Sequence, residues 1–339
     1  MFTSISLFSS ANAGELSVSG TAKATYNIVG ETAQKKGLGV TNELNFTASG
    51  ELDNGYTWSY SMELDPGAND ATNESTMDND DTKLTLTTPY GTVGVFISEG
   101  GLDVEDAASQ SVYARPTDTG DPSATSDNFT IDAYNNMQYH MPADLLPFGI
   151  VGKVAYAPSL EAYGSGNNKG PEVVKAAAGA GDSATEYQIK AAPIDGLAIG
   201  ASYMEFSREG LAKNDQGAES GAYFATYTMG NIGVGYSKAY KAPLLADYGL
   251  TGVEYYDQSN ASIGFAINDD LSVSYETEKS EANYRADATV AVEQKSDAIQ
   301  AAYTMGGMTI ALSMGSYDNI GYVADTDAKQ TLIAVTMAF

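Results

Sequence analysis

Apolar and small polar side chains alternate along most of the chain, and the alternation continues to the last residue. In the closing segment, Ile333, Val335, Met337 and Phe339 fall on one face of a predicted strand. Alternation over about ten residues, separated by turn signals and repeated along a chain, is typical of a transmembrane β-barrel. A soluble β-sandwich alternates as well, so the connections between the strands have to decide between the two.

Two kinds of connection separate the predicted strands. Short turns rich in Gly, Pro, Asn or Asp fall at residues 51–55, 89–91, 142–147, 193–196, 229–231, 268–270 and 305–307. Long acidic or Gly-rich loops fall at residues 66–80, 99–128, 158–182, 209–218, 242–249, 280–292 and 318–325. Outer-membrane barrels have short periplasmic turns and long extracellular loops, whereas a sandwich has no reason to separate its loops by length. The sequence therefore predicts an all-β fold, a closed antiparallel transmembrane β-barrel of about sixteen strands, formed by residues 14–339 as a single domain.

Composition agrees with this fold and excludes some functions. The chain of 339 residues is rich in Gly (35) and Tyr (23), and tyrosines are typical of the aromatic girdles of membrane barrels. Cys is absent, which excludes disulfides and thiol chemistry. The net charge of −27 argues against nucleic acid as a partner and favours the attraction of cations, although a solvated acidic surface would have the same composition.

The first thirteen residues resemble the end of a secretory signal. Ala11-Asn12-Ala13 gives the small-x-small pattern that precedes cleavage, so residues 1–13 are interpreted as the remnant of a signal peptide. The basic region is missing and the apolar run is short. An ordinary N-terminal tail is the alternative.

The loop at residues 99–128 is the main candidate for a functional site. Its first part carries Glu99, Asp103, Glu105 and Asp106, and its only basic residue is Arg115. A structureless loop of this length in a compact protein is usually functional or disordered. The short strand before it indicates that the loop turns into the barrel and narrows the lumen.

Basic side chains on inward-facing strand positions would oppose these acids. Parity along the strands selects Lys23, Lys83, Lys153 and Lys190. Acid facing base across a narrow passage is one way in which a pore selects solutes by charge. Each lysine could instead be a solvated lumenal residue or the partner of a neighbouring carboxylate such as Glu43 or Glu186.

The remaining candidate chemistry is weak. The single histidine, His140, faces the lumen near a short turn, whereas a barrel lipase would need His beside a Ser on the lipid side, so no enzyme is expected. No cofactor is expected either. Asp78, Asp80 and Asp81 offer the oxygen ligands that calcium prefers, but without EF-hand spacing, and a solvated acidic loop is the simpler interpretation.

The strand count, the acidic loop after the fifth strand, the Ala11–Ala13 signal end and the terminal Phe339 together resemble the general diffusion porins of Gram-negative bacteria. The acidic, Tyr-rich and Cys-free composition is most similar to the alphaproteobacterial porins. The resemblance implies a homotrimer in the outer membrane, surrounded by lipid and lipopolysaccharide. It also implies that the third long loop folds inward and that the outer-membrane assembly machinery reads Phe339.

The function expected from this resemblance is passive diffusion of small hydrophilic solutes and ions through a water-filled channel, with a mild preference for cations. Two alternatives stay open at this point. One is a substrate-specific outer-membrane channel. The other is a surface adhesin or receptor scaffold built on a plugged barrel.

Overall fold

A computed structural model describes residues 16–30, 36–66, 77–119, 127–160, 183–208, 211–245, 252–286 and 290–339. The signal remnant predicted at residues 1–13 lies outside these ranges. Sixteen strands make up the fold: β1 (Leu16–Gly30), β2 (Gly37–Glu51), β3 (Thr57–Pro66), β4 (Met77–Thr88), β5 (Gly91–Ile97), β6 (Asn136–His140), β7 (Val151–Ala157), β8 (Ala184–Ile194), β9 (Leu197–Phe206), β10 (Glu219–Met229), β11 (Ile232–Ala242), β12 (Val253–Ala266), β13 (Leu271–Tyr284), β14 (Glu293–Met305), β15 (Met308–Asp318) and β16 (Ala328–Ala338).

The sheet closes on itself. Every strand pairs antiparallel with its sequence neighbours, and β1 pairs with β16 to complete the barrel. Beyond β16, the Phe339 N–H donates to Gly20 O at 3.0 Å and the Gly20 N–H donates to Phe339 O at 2.9 Å, which extends the closing ladder by one residue. Closure removes the sheet edges, whose unpaired backbone groups would find no partner in lipid. Among the described residues, no helix is long and apolar enough to cross a membrane.

The predicted all-β fold of about sixteen strands is confirmed. Short turns join the strands at one end, from the connection between β2 and β3 to the one between β14 and β15. The long connections all lie at the other end. The prediction was wrong for residues 280–284, which belong to β13, and for part of residues 66–80, since β4 already begins at Met77. Cross-strand pairing of this segment with β3 overrides its polar, loop-like composition.

Each strand has one face toward the lumen and one toward the outside. On β14, the lumenal Gln294 and Gln300 are buried, whereas Ile299 and Met305 on the outer face are 62% and 57% exposed. The buried apolar clusters combine residues of the long β5–β6 connection with the barrel wall, as where Leu102 and Ile131 pack with Met204. The core therefore lies inside the barrel, where that connection meets the wall.

Candidate functional site: the lumen and its inner loop

The β5–β6 connection is described for residues 98–119 and 127–135, which we call the inner loop. It turns into the lumen directly after β5. Ser98 and Gly100 both have positive φ, 52° and 85°. A Cβ at Gly100 would lie 2.5 Å from Gln138 Nε2, so only glycine fits this turn. Gln138 Nε2 donates to Gly100 O at 2.6 Å and fixes the start of the loop against β6.

The inner loop then follows the barrel wall from β8 to β16. Its successive partners are Glu186 on β8, Ser202 on β9, Ser262 on β12, Ser274 on β13, Gln300 on β14, Tyr317 on β15 and Gln330 on β16. These contacts all fall on one arc of the barrel. We infer that the open passage runs between the inner loop and the opposite arc, formed by β1 to β4.

Glycines on β11 and β12 let the inner loop lie close to the wall. A Cβ at Gly235 would lie 1.8 Å from Ala108 O, and one at Gly264 would lie 2.9 Å from Gln110 O. Ser262 Oγ on β12 donates to Ala108 O at 2.6 Å. The bare backbone at these positions therefore accommodates the short 3-10 turn Glu105–Ala108 against the wall.

Buried carboxylates of the wall anchor the inner loop. Glu186 Oε2 accepts hydrogen bonds from Leu102 N (3.3 Å) and Ile131 N (2.9 Å), which ties both ends of the loop to β8. On β13, Glu276 Oε2 accepts the hydroxyls of Ser109 and Ser111, each at 2.6 Å. Because a carboxylate without these partners would be costly to bury, the wall and the loop stabilise one another.

Arg115 gathers an acidic cluster at the lumenal surface of the inner loop. Its guanidinium lies 2.5 Å from Asp106, 2.9 Å from Asp118, 3.1 Å from Glu278 and 4.0 Å from Asp127. Burial alone would lower the pKa of Arg115, but Glu278 and Asp106 more than offset this effect and raise it. The side chains of Asp106, Asp118 and Asp127 are exposed. A second cation, Lys241, donates to Asp127 O at 2.6 Å, so three exposed acids share two cations.

Comparison with known proteins identifies the family. The sequence profile that describes Gram-negative porins matches residues 2–338. The chain belongs to the Gram-negative porin family.

Solved porin structures have the same fold at low sequence identity. OmpF of Salmonella typhi, in complex with daunomycin, is 13% identical, with a TM-score of 0.63 over 96% of this chain and 98% of that chain. A variant of the Rh. blastica porin is 15% identical, with a TM-score of 0.59 over 96% and 100%. A trimer form of OmpT, an outer-membrane protein of Vibrio cholerae, is 13% identical, with a TM-score of 0.61 over 97% and 100%. No curated protein sequence gives a significant match.

Family membership confirms the predicted resemblance and the expected diffusion channel, while the preference for cations stays a prediction. This porin is a diffusion channel of the outer membrane of a Gram-negative bacterium. The short turns of the barrel are accordingly periplasmic and the long loops extracellular. Proteins of this family and fold are typically channels rather than enzymes.

The structure places the predicted acids of the inner loop in different environments. Glu105 is buried, with 8% of its surface exposed, and its Oε2 accepts a hydrogen bond from Asn128 N at 2.9 Å. Burial, with a contribution from Asp103, raises the pKa of Glu105 to about 8, so it is largely uncharged at neutral pH. Asp103 accepts a hydrogen bond from Ser202 Oγ at 2.8 Å. Enclosure within the barrel raises the pKa of the lumen-facing Asp106 to about 6, against the opposing effect of Arg115.

Three of the four predicted lysines come together. Lys83 forms an ion pair with Glu99 at the start of the inner loop. Lys153 on β7 lies within electrostatic range of Lys83 and of Lys190 on β8. Lys23 lies on β1 opposite Thr336, on the lumenal face of another part of the wall.

The other candidate residues have ordinary surroundings. The His140 ring nitrogen Nε2 lies 2.7 Å from Gln138 Oε1, and the ring contacts Phe96 at a centroid distance of 5.9 Å. The side chains of Asp78 and Asp80 lie outside the described part of the structure. Among the described residues, no group of three His, Cys, Asp or Glu side chains is placed to hold a metal ion. The calcium interpretation of Asp78, Asp80 and Asp81 therefore stays a prediction.

Sequence reasoning did not find the residues that hold the inner loop. Glu276 and Glu278 are acids two residues apart on one strand, and their parity marks both as lumenal. Gly233 and Gly235 share a face of β11 in the same way. The sequence does contain a signal for these wall residues, since inward-facing acids and glycines recur at a spacing of two residues. This spacing does not reveal which segment of the chain they contact.

Proposed function

We propose that the inner loop forms the narrowest part of the channel and gives it a mild preference for cations. The supporting observation is that Asp106, Asp118 and Asp127 are exposed and outnumber the two cations beside them, Arg115 and Lys241. Small hydrophilic solutes would then cross passively, with their size limited by the distance between the inner loop and the wall of β1 to β4.

The magnitude of the interaction favours acids inside the passage. A cation 4 Å from a wall charge gains about 1–4 kcal/mol, depending on the effective dielectric constant. Charges farther away than about 8–10 Å are largely screened at physiological salt. Among the proposed basic residues, Lys83 is already neutralised by Glu99, while Lys23, Lys153 and Lys190 would form the basic part of the wall. The three exposed acids of the inner loop should therefore dominate over the more numerous acids outside the lumen.

Reversal potentials across a salt gradient in a planar bilayer test this proposal. Replacing Asp106, Asp118 and Asp127 by Asn should reduce or abolish the cation preference. The matched control replaces Asp144, Asp269 and Asp270, which are exposed at periplasmic turns, so it removes the same number of charges. An equal shift in both variants would show that the inner loop does not set selectivity.

A homotrimer is the oligomeric state we propose. The outer faces of β1 and β2 expose Leu16, Val18, Leu38 and Val40 at 56–85%. β1 also contains the small residues of Gly20–Ala24, which would permit close contact with a second subunit. The trimer form of OmpT supports this assembly. Light scattering in mild detergent should give the mass of three chains, and a monomer would contradict it.

The other proposed partners are lipid, lipopolysaccharide and the assembly machinery, and the alternatives to a general diffusion channel can be separated by conductance. Outer-leaflet lipid and lipopolysaccharide would surround the apolar outer face, and the assembly machinery would read Phe339. Catalysis is not proposed, since His140 is occupied by Gln138. A substrate-specific channel or a plugged scaffold for adhesion would differ in the conductance of the pore, because a plugged barrel carries no steady current.

A further inference from the structure

The outer face of the barrel has a groove between β9 and β12. Gly221 on β10 forms its floor, and the residues that pair with Gly221 on the neighbouring strands are Tyr203 on β9 and Tyr240 on β11. A Cβ at Gly221 would lie 3.0 Å from the Tyr240 ring and 3.5 Å from the Tyr203 ring. The missing side chain therefore leaves a space between two aromatic rings. The groove has a volume of about 580 Å³, within the range of about 300–1,000 Å³ that is typical of small-molecule sites.

One carboxylate holds both rings. The Tyr203 hydroxyl donates to Glu219 Oε2 at 2.8 Å, and the Tyr240 hydroxyl donates to Glu219 Oε1 at 3.4 Å. Glu219 lies two residues from Gly221 on the same strand, so it shares the outward face and lies nearer the extracellular end. Because the walls of the groove are fixed in this way, an occupant would not have to order them on binding.

Charged groups border the groove, although the outer wall of a barrel is expected to be apolar. Lys238 Nζ on β11 lies 3.2 Å from Asp257 Oδ2 on β12, and each side chain is 44% exposed on the outer face. Nearer the periplasm, the outward residues of β11 are Ile232 and Val234. A lysine on the lipid face is costly at the bilayer midplane, so a polar group beside the pair would stabilise it. With Glu219, the border of the groove carries two carboxylates and one ammonium group.

The groove opens into the half of the bilayer next to the long loops, away from the proposed subunit contact. Gly221 is eight residues above Met229, the periplasmic end of β10. At about 3.3 Å per residue and a strand tilt of about 35–45°, it lies about 19–22 Å above that end, in an apolar band about 25 Å tall. β10 is eight strands from β2 in either direction around the closed sheet, so the groove faces lipid opposite the strands proposed for the trimer contact.

We propose that this groove binds one membrane lipid whose headgroup carries both a phosphate and an ammonium group. One acyl chain would lie over Gly221, between the two tyrosine rings. The phosphate would contact Lys238, and the ammonium group would contact Glu219 and Asp257. A purely anionic headgroup fits this border less well, because the carboxylates outnumber the lysine by two to one. Binding of this lipid is separate from diffusion through the lumen, so it does not depend on the open channel.

Native mass spectrometry of the folded protein in detergent, titrated with phosphatidylethanolamine, phosphatidylglycerol or lipid A, tests the proposal. The zwitterionic phosphatidylethanolamine should bind at the lowest lipid concentration. Gly221→Leu fills the groove and should raise the half-saturating concentration of phosphatidylethanolamine about tenfold, since loss of roughly two buried methylene contacts has this effect. An unchanged value in Gly221→Leu, or tighter binding of either anionic lipid to the wild type, would overturn the proposal.

The matched control is Gly152→Leu, which adds the same side chain to the outer face of β7, where a Cβ has its nearest neighbour at 3.9 Å. The half-saturating concentration of this variant should equal that of the wild type, and a rise as large as that of Gly221→Leu would overturn the proposal. Glu219→Gln tests the headgroup separately, because it keeps a hydrogen-bonding side chain beside Tyr203 and Tyr240 and removes the charge. It should reduce the preference for phosphatidylethanolamine over phosphatidylglycerol about threefold. An unchanged preference in Glu219→Gln would overturn the proposal even if Gly221→Leu does not assemble.

Discussion

Replacing Gly235 by Ala should push the inner loop away from the wall and narrow the pore. A Cβ at this position would lie 1.8 Å from Ala108 O, whereas real Cβ contacts are not shorter than 3.0 Å. The backbone of the loop therefore has to move by about 1 Å or more, and the close wall behind Gly235 leaves only the lumen to receive it. The same displacement carries Asp106 farther into the passage.

The stability cost can be estimated from the contacts that the displacement breaks. Overpacking of this kind costs about 1–3 kcal/mol. Loss of the 2.6 Å hydrogen bond from Ser262 Oγ to Ala108 O adds about 1 kcal/mol. The Glu276 hydrogen bonds to Ser109 and Ser111, which follow directly in the chain, would also lengthen. We therefore expect a total cost of about 2–4 kcal/mol.

Two measurements test this prediction. One is the single-channel conductance, and the other is the temperature at which the folded barrel unfolds, followed on a gel. Gly235→Ala should lower both. Gly152→Ala is the matched control, because a Cβ at Gly152 on β7 has its nearest neighbour at 3.9 Å. If Gly235→Ala behaves like Gly152→Ala in both measurements, the inner loop does not lie against β11 and the reasoning is refuted.

Two further predictions concern charge and assembly. Since the pKa of Asp106 is raised to about 6, the cation preference should fall as the pH is lowered from 7 to 5. The reversal potential of Asp106→Asn should not change over this pH range. The same pH response in both proteins would show that Asp106 does not set the cation preference. Deleting Phe339 should reduce the amount of assembled protein in the outer membrane, because the Phe339 backbone pairs with Gly20 at the closure of the barrel. The conductance of the molecules that do assemble should stay unchanged. Wild-type amounts of the truncated protein on quantitative immunoblots would argue against a role of Phe339 in assembly.

The fold could be predicted because each strand has one face toward lipid and one toward the lumen, and its sequence alternates accordingly. Lipid on one side and a wet lumen on the other require strict alternation, and β14 shows it from Gln294 to Gln300. The difference between short turns and long loops predicted which end of the barrel is periplasmic. The boundaries of β4 and β13 were misplaced, because cross-strand pairing rather than composition decides where a strand begins and ends.

The site was predictable only in outline. Sequence reasoning found the inward loop, but the burial of Glu105 depends on Asn128, which lies 23 residues later in the same loop. The anchors Glu186 and Glu276 are 84 and 167 residues away from Leu102 and Ser109. Contacts at such separations are created by the closed barrel, and no local pattern encodes them.

Chemical modification of a single cysteine during current recording tests most directly whether the inner loop narrows an open pore. The chain has no Cys, so Asp106→Cys introduces a unique thiol. We expect steady current steps that fall abruptly when a bulky water-soluble thiol reagent is added. The current of Asp269→Cys, whose thiol would lie at a periplasmic turn, should not change. Complete labelling of Asp106→Cys with an unchanged current would show that the inner loop does not narrow the pore.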